Sequence, residues 1–411
     1  MSVTAHRQIS QIRRPVKEPA EESRYSAKEC RRQEGSPGIV ERDVEPFTQT
    51  FLGLVPREEL GPPSGGYVAF VSSLRALSGI DQAVGRTPLV RLDRLFPHDA
   101  VWAKLEALNP GGSAKDRSAV ALVAEAMASG RLTAGAMLVE STSGNFGVAL
   151  ARLAARHGFR FRAVVDPRAN VAATTAIRAL GGELDLITEP DAATGDWLIA
   201  RVARVRQILT DHPGAVWLDQ YSNPRAASAH AATMAEILEA LDDRVDAVFV
   251  ATSTTGTIGG CLQEVRRRGL STQVFAVDAL GSVLFGGARG ERRLSGYGAG
   301  LVPALAHNLQ PHGVVRVPDA DAVAACRALA RTEGILAGAS AGAVIGAAAR
   351  IAPTLAAGAR IALVLHDRGE AYLDTVYSDA WTQATLDLGA DEMERRVSAF
   401  TERRVSALAA R

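Results

Sequence analysis

Short apolar runs alternate with stretches of helical periodicity along most of this chain. The run Ala247–Ala251 is continuous, as is typical of a strand buried on both faces of a parallel sheet, and residues 273–278 and 360–365 repeat the pattern. We expect these three to be central strands. Because helical segments separate such runs, the pattern predicts an α/β fold with mostly parallel sheets flanked by helices. Further predicted strands are 136–140, 161–165, 184–187 and 216–219, and predicted helices are 118–129, 145–157, 171–180, 197–209, 226–241 and 258–268.

The order of these elements predicts two domains. We expect a smaller domain at about 116–219, inserted into a larger domain of residues 74–115 and 220–388. Residues 1–73 are crowded with charged residues, serine and proline at their start and show no sustained period, which favours a disordered N-terminal extension. Residues 389–411 repeat Glu-Arg-Arg-Val-Ser-Ala at a spacing close to two helical turns, which favours a solvated amphipathic helix.

Composition and charge exclude several classes of protein. The 411 residues are 47% apolar and 22% charged, with a net charge of +1, so no overall field attracts nucleic acid or an anionic membrane. No uncharged apolar run is long enough to span a bilayer. Three cysteines, Cys30, Cys261 and Cys326, lack metal-ligand spacing and predict free thiols in a reducing cytoplasm, the last two in the core. We therefore expect a cytoplasmic enzyme without a metal site.

Lys115 is the first candidate for chemistry. It follows Asn109, Pro110 and two glycines and lies where an apolar run gives way to a predicted helix. An amine on such a tight turn could form a Schiff base with a ligand carbonyl if burial or a nearby cation lowers its pKa. A lone lysine at a helix start is more often solvated. Two downstream loops decide between a solvated lysine and one that forms a Schiff base.

The first loop joins the predicted strand 136–140 to a predicted helix and contains Thr142, Ser143 and Asn145. Backbone N–H groups and hydroxyls at a helix N-terminus suit an anion such as a substrate carboxylate. Helix N-capping by Ser143 or Asn145 is the alternative.

The second loop follows the strand Ala247–Ala251 and precedes a helix. Small hydroxyl residues and glycine in this position hold a phosphate without a basic side chain. No Gly-Lys-Ser/Thr follows and the glycine spacing does not fit a dinucleotide site, so the phosphate of a small cofactor is favoured. The loop residues are Ser253, Thr254, Thr255, Gly256 and Thr257.

These motifs, in this order, resemble those of the pyridoxal-phosphate enzymes of the cysteine synthase and cystathionine beta-synthase family, from about residue 74 to 388. The resemblance implies fold type II, as in the tryptophan synthase beta chain, with pyridoxal 5'-phosphate as cofactor. It implies that Lys115 carries the cofactor, that Asn145 contacts its ring hydroxyl, and that the loop at 253–257 binds its phosphate. Ser340, in the glycine-rich stretch 334–342, then corresponds to the serine that contacts the pyridine nitrogen, although helix capping is also open to it. Thr142, Ser143 and Asn145 correspond to the substrate-carboxylate loop.

Departures from the family pattern indicate a branch. Phe146 stands where a hydroxyl residue is usual, and Tyr297 replaces an aliphatic residue in a Gly-x-Gly-Ala-Gly loop. Residues 141–147, 253–259 and 367–381 together resemble the branch that makes N-(2-amino-2-carboxyethyl)-L-glutamate from O-phospho-L-serine and L-glutamate. That product is a precursor of 2,3-diaminopropionate for siderophores and peptide antibiotics.

By the same resemblance, Arg201, Tyr221 and Ser253 correspond to substrate-binding positions of the branch. Arg201 could instead lie on a solvated helix face, since Arg204 and Arg206 follow it, and Tyr221 could be a packing aromatic. The resemblance also implies a homodimer, and we expect the smaller domain to close over bound amino acid. The alternatives are a cysteine synthase acting on O-phosphoserine or O-acetylserine, a serine or threonine dehydratase, and a catalytically silent binding subunit.

Overall fold

The protein is described by a computed structural model that covers residues 76–142 and 144–408, with side chains as far as residue 402. The prediction for residues 1–73 and the role predicted for Ser143 lie outside the described residues.

The described residues contain ten strands and eleven α-helices. The strands are β1 (Leu89–Arg91), β2 (Ala100–Leu105), β3 (Met137–Ser141), β4 (Arg160–Val165), β5 (Glu183–Leu186), β6 (Val216–Trp217), β7 (Ala247–Ala251), β8 (Gln273–Ala279), β9 (Gly313–Val317) and β10 (Arg360–Leu365). The helices are α1 (Lys115–Ala128), α2 (Asn145–His157), α3 (Val171–Ala179), α4 (Trp197–Asp211), α5 (Pro224–Ser228), α6 (Ala231–Ala240), α7 (Gly256–Arg268), α8 (Asp319–Glu333), α9 (Ala339–Ile351), α10 (Asp379–Leu386) and α11 (Ala390–Leu408).

The strands form two sheets. The larger has the order β1-β2-β10-β7-β8-β9 and is parallel except where β1 pairs with β2. The smaller has the order β5-β4-β3-β6 and is parallel throughout. The predicted α/β class is therefore confirmed, and β10, β7 and β8 are inner strands as expected. Strand β9 was not predicted.

The glycine-rich helix α9 explains how the larger sheet is covered. It packs against α8 so closely that a Cβ at Gly342 would overlap the carbonyl oxygen of Ala322. From Ala339 to Ala349 every residue of α9 is buried. Small side chains therefore bring two helix backbones together above the sheet.

The predicted helix 226–241 is wrong in one respect, because the chain breaks into α5 and α6 around His230. Helix α7 crosses the backbone at this point, and a Cβ at Gly260 would overlap the carbonyl oxygen of Ala227. The buried ring of His230 lies 3.0 Å from the Ser118 hydroxyl. The break is thus set by a tertiary contact that local periodicity does not record.

Helix α11 packs one face on the larger core, where Met393 and Val397 are buried, and pairs Arg396 with Asp321 at 3.1 Å. Cys261 and Cys326 are buried free thiols, as predicted. No helix among the described residues has the length and apolarity to span a membrane. The same residues contain no group of three or more His, Cys, Asp or Glu side chains that could hold a metal ion.

Candidate active site

The turn before Lys115 is built by short-range contacts. The carboxylate of Asp116 accepts hydrogen bonds from the backbone of Gly111 (3.0 Å) and Ser113 (3.4 Å). Gly112 has φ +83°, and a Cβ there would lie 2.6 Å from Nε of Arg368, so this position requires glycine. The helix begins at Lys115 itself, three residues earlier than predicted.

A buried ion network fixes the first turn of α1. Arg117 donates to both carboxylate oxygens of Glu106, at 2.7 and 2.8 Å, and to those of Glu236 at the same two distances. Burial would raise the pKa of Glu236, but the hydrogen bonds from Arg117 and Lys104 outweigh it and hold the pKa at about 2. The first turn of α1, which carries Lys115, is therefore held in place by charge-assisted hydrogen bonds.

The amine of Lys115 lies in low-dielectric surroundings. Burial lowers its pKa, and the nearby carboxylate of Asp367 opposes that shift only in part. Both ring nitrogens of His366 are buried beside it, and burial together with the charge of Lys115 lowers the pKa of this histidine to about 3. His366 is therefore neutral at physiological pH, and Lys115 has the environment predicted for a nucleophilic amine.

The loop between β3 and α2 brings Asn145 and Thr142 toward Lys115. The N-cap of α2 is Gly144, with no side-chain capping bond. Capping by Asn145 is thus wrong, since its Nδ2 donates instead to Asp367 at 2.8 Å. The hydroxyl oxygen of Thr142 accepts a hydrogen bond from the backbone of Gly147 at 3.0 Å.

The loop between β7 and α7 ends in a strained residue. Thr255, the N-cap of α7, has φ 63°, the left-handed conformation that glycine adopts more easily, and its hydroxyl donates to the Thr254 carbonyl at 2.7 Å. The first N–H groups of α7 have no partner within the helix, and the helix dipole is positive there. The loop can therefore bind an anion through its backbone.

Ser340 and Asp367 complete the inner group of side chains. Ser340 is the second residue of α9, whose N-cap Gly338 makes no side-chain bond, and its hydroxyl lies 3.5 Å from Oδ1 of Asp367. Asp367 also accepts from the Tyr372 hydroxyl at 2.6 Å, and its burial raises its pKa. Asp367 was not among the predicted site residues, although a polar residue directly after a buried strand often lies at a binding site.

Three connected cavities contain the predicted residues. The inner cavity, about 50 Å³, is lined by Lys115, Asn145, Ser253, Thr254, Thr255, Thr257 and Ser340, with His366 and Asp367. The central cavity, about 680 Å³, adds Thr142 and Tyr221 to Lys115, Asn145, Ser253 and Thr254. Gly256 begins α7 just behind the loop and lines none of the three.

The outer cavity, about 530 Å³, holds Arg201 and meets the central cavity at Arg168, Tyr221 and Ser253. Arg201 is only 7% exposed and pairs with Asp166 at 3.1 Å, so the solvated-face alternative is wrong. Lys115 does not line this cavity. The outer cavity is thus reached from the central one and is lined by guanidinium groups.

These residues fit pyridoxal phosphate. The inner cavity presents a buried amine for an aldehyde, a helix N-terminus for a phosphate, and hydroxyl and amide side chains for a pyridine ring. A model of the pyridoxal-phosphate dependent enzyme family matches residues 80–367. The chain belongs to this family.

Similar proteins narrow the class of this pyridoxal-phosphate-dependent enzyme. It is 43% identical over 305 residues to N-(2-amino-2-carboxyethyl)-L-glutamate synthase of Ralstonia nicotianae, covering 74% of this chain and 90% of that protein. It resembles the crystal structure of the O-acetylserine dependent cystathionine beta-synthase of Helicobacter pylori, with TM-score 0.69, 27% identity, and coverage of 74% of this chain and 100% of that one. The crystal structure of O-ureido-L-serine synthase is similar with a TM-score of 0.68 and 34% identity, and the match covers 77% of this chain and 98% of that one. The enzyme is therefore a β-replacement transferase of fold type II that uses pyridoxal phosphate.

Proposed function

We propose that the enzyme replaces the phosphate of O-phospho-L-serine with the amine of L-glutamate, yielding N-(2-amino-2-carboxyethyl)-L-glutamate and inorganic phosphate. A C–N bond forms at Cβ, the Cβ–O bond breaks, and the attacking amine loses a proton. The observation that carries this proposal is the arginine-lined outer cavity, which joins the Lys115 cavity at Arg168, Tyr221 and Ser253. A cavity of this charge and position suits a second, anionic substrate better than sulfide.

Pyridoxal phosphate, when bound, acts as an electron sink that acidifies the substrate Cα–H and permits loss of a leaving group from Cβ. We assign Lys115 to its aldehyde, the 253–257 loop to its phosphate, Asn145 to its ring hydroxyl and Ser340 to its ring nitrogen. Lys115 then removes the proton from Cα, a role that suits an amine whose pKa is lowered by burial.

The substrate groups are assigned by their distance from Lys115. Thr142 and Asn145, which line the central cavity with Lys115, bind the carboxylate of the first substrate. Arg201, Tyr221 and Ser253 bind the second substrate where the central and outer cavities meet. Burial raises the pKa of Tyr221 to about 12, so its hydroxyl stays protonated and can donate to a carboxylate.

The assay that tests this function offers purified enzyme O-phosphoserine with either glutamate or sulfide and follows products by mass spectrometry. We expect the glutamate adduct and stoichiometric phosphate. Rapid cysteine formation without the adduct would favour a cysteine synthase, and pyruvate formed without a second substrate would favour a dehydratase. Absence of the cofactor absorbance at about 400 nm from the purified protein would favour a catalytically silent binding subunit.

We also propose that residues 116–219 form a mobile domain that closes over bound amino acid. Two hydrogen bonds join the smaller sheet's helices to the segment after β10, from Asn145 to Asp367 at 2.8 Å and from Asn170 to the Ala371 carbonyl at 3.2 Å. Because Arg117 ties α1 to Glu106 and Glu236, closure would move the rest of this domain about that helix. Solution scattering should become more compact on addition of O-phosphoserine, and an unchanged curve would count against closure.

The biological setting follows from the product. We propose a cytoplasmic homodimer that serves 2,3-diaminopropionate synthesis for a siderophore or peptide antibiotic. A neighbouring gene for an oxidoreductase that cleaves the glutamate adduct would support this setting. Sedimentation of the holoenzyme at the mass of one chain would contradict the dimer.

A further inference from the structure

Arg292 reaches the outer cavity from the loop that precedes the glycine-rich stretch 296–300. The residue is half-buried, and its Nε is a buried atom without a hydrogen-bond partner. Among the described residues its guanidinium forms no ion pair, and the carboxylates of Asp196 and Asp278 act on it only from a longer distance. A buried guanidinium nitrogen without a partner is unusual, because its desolvation is offset only by an opposite charge or hydrogen bonds.

The neighbouring arginines are either paired or exposed. Arg206, which also lines the cavity, forms no ion pair among the described residues but is exposed to solvent. Arg168 and Arg201 share the carboxylate of Asp166, at 3.3 and 3.1 Å. Arg289 lies 3.8 Å from Asp196.

The two aspartates that line the cavity are already engaged by the backbone. Asp196 caps α4 by accepting from the N–H of Leu198 at 2.8 Å, and Asp219 accepts from the N–H of Tyr221 at 3.2 Å. Neither forms an ion pair with Arg292. The guanidinium of Arg292 therefore keeps hydrogen-bond donors available to a ligand.

The glycine-rich loop accommodates this side chain. A Cβ at Gly300 would lie 2.8 Å from Nη2 of Arg292, and one at Gly298 would lie 3.2 Å from its Cδ. Gly298 also has φ +76°, which favours glycine. Two glycines of the motif thus leave room for the arginine beside the cavity wall.

The position of the cavity identifies the class of ligand. A leaving group on the first substrate is attached to the reacting carbon and must stay near Lys115, which lines the central cavity but not the outer one. A carboxylate at the far end of the attacking amino acid can extend past Tyr221 and Ser253. A planar guanidinium binds such a carboxylate with two parallel hydrogen bonds.

We propose that Arg292 binds the side-chain carboxylate of the amino acid that attacks the first substrate, and so selects an acidic second substrate. This inference rests on the proposed function. Arg292 is a specificity-determining residue in this scheme and takes no part in proton transfer at Cα.

The test compares Arg292→Met with wild-type holoenzyme, using Arg266→Met as a control that removes an exposed charge of α7 outside the three cavities. We expect the KM for glutamate to rise on the order of 10- to 100-fold, the range for a lost charge-assisted hydrogen bond. Phosphate release from O-phosphoserine alone should change by less than about two-fold. Arg292→Lys should recover part of the lost affinity for glutamate, since lysine keeps the positive charge but lacks the planar guanidinium that forms two parallel hydrogen bonds.

An unchanged KM for glutamate, or an equal loss in the O-phosphoserine step, would overturn the role of Arg292. If Arg292→Met does not fold, Arg292→Gln is measured with the same expectations. A wild-type enzyme that forms no glutamate adduct would instead overturn the proposed function. A wild-type enzyme that forms the adduct, with a variant of unchanged KM, would overturn only this inference.

Discussion

The inner and outer cavities hold anions by different means. The inner cavity is lined by hydroxyls, a helix N-terminus and Lys115, and no arginine is found among its described lining residues. The outer cavity is lined by four arginines, Arg168, Arg201, Arg206 and Arg292. In the assignment above, the first serves the phosphate of a resident cofactor and the second serves a substrate that enters and leaves.

The two cavities therefore have separate roles, the inner one in the catalytic step and the outer one in the choice of second substrate. Backbone N–H groups in a rigid loop cannot move away from a phosphate, which suits a permanent occupant. Arginine guanidinium groups match the geometry of a carboxylate and bind it through side chains instead of a fixed backbone loop, which suits a substrate that is exchanged at each turnover. Changes in the inner cavity should therefore alter the catalytic step, and changes in the outer cavity should alter the preference for the second substrate.

The largest effect is expected for Lys115→Ala. Loss of the residue that holds the cofactor and moves the Cα proton should reduce kcat by at least about 10³-fold. Borohydride reduction and peptide mapping of wild-type enzyme should locate the pyridoxyl group on Lys115. Lys104 is a built-in control, because burial also lowers its pKa but Glu236 binds it at 2.6 Å. A label on Lys104 alone would refute the assignment of the inner cavity.

Arg201→Met should change the outer cavity only. We expect the KM for glutamate to rise on the order of 10-fold, because a charge next to the second substrate is lost. Phosphate release from O-phosphoserine alone should be nearly unchanged, and Asp166 keeps Arg168 as a partner. Arg204→Met, which breaks the pair with Asp185 one helical turn away, is the matched control. If Arg201→Met impaired phosphate release from O-phosphoserine as much as the reaction with glutamate, the two cavities would not have separate roles.

The burial of His366 predicts a pH dependence of stability. The unfolded chain protonates this histidine near its ordinary pKa of 6.5, whereas the folded protein does so only at about 3. Because the unfolded state binds the extra proton, the free energy of unfolding should fall as pH drops below 6.5, by about 2 kcal/mol at about pH 5.

Unfolding of the apo protein in guanidinium chloride, at neutral pH and at about pH 5, would measure this fall in the free energy of unfolding. The His366→Asn variant is the comparison. The variant should lose about 2 kcal/mol less than wild type over the same interval. Parallel losses in the two proteins would show that His366 is not the group responsible.

The smallest effect is expected for Thr255→Gly. Glycine relieves the left-handed conformation of Thr255, so the apo protein should unfold at a higher temperature, with a gain of about 1 kcal/mol. Cofactor affinity should change by less than about three-fold if backbone N–H groups bind the phosphate. Thr174→Gly, in the regular helix α3, should instead destabilise. A large loss of cofactor affinity in Thr255→Gly would mean that the hydroxyl, and not the backbone, holds the phosphate.

The sequence by itself determined the features that depend on neighbouring residues. The apolar run at 247–251 predicted β7, and the small residues after it predicted an anion loop, because strand burial and helix starts are recorded in local residue types. The turn before Lys115 is local in part, since Asp116 binds the backbone of Gly111 and Gly112 has a positive φ, whereas the contact of Gly112 with Arg368 is long-range.

The tertiary structure decided which distant residues meet. Strand β10 pairs between β2 and β7, so the backbone of Ala114 bonds to the carbonyl of His366 at 2.7 Å, and Asp367 comes to lie beside Lys115. The same assembly breaks the helix at His230 and brings Arg201 and Arg292, from separate elements, to one cavity wall. Strand order and helix crossing result from long-range packing, and one sequence without its contacts does not specify which of its many polar residues that packing will leave facing a ligand.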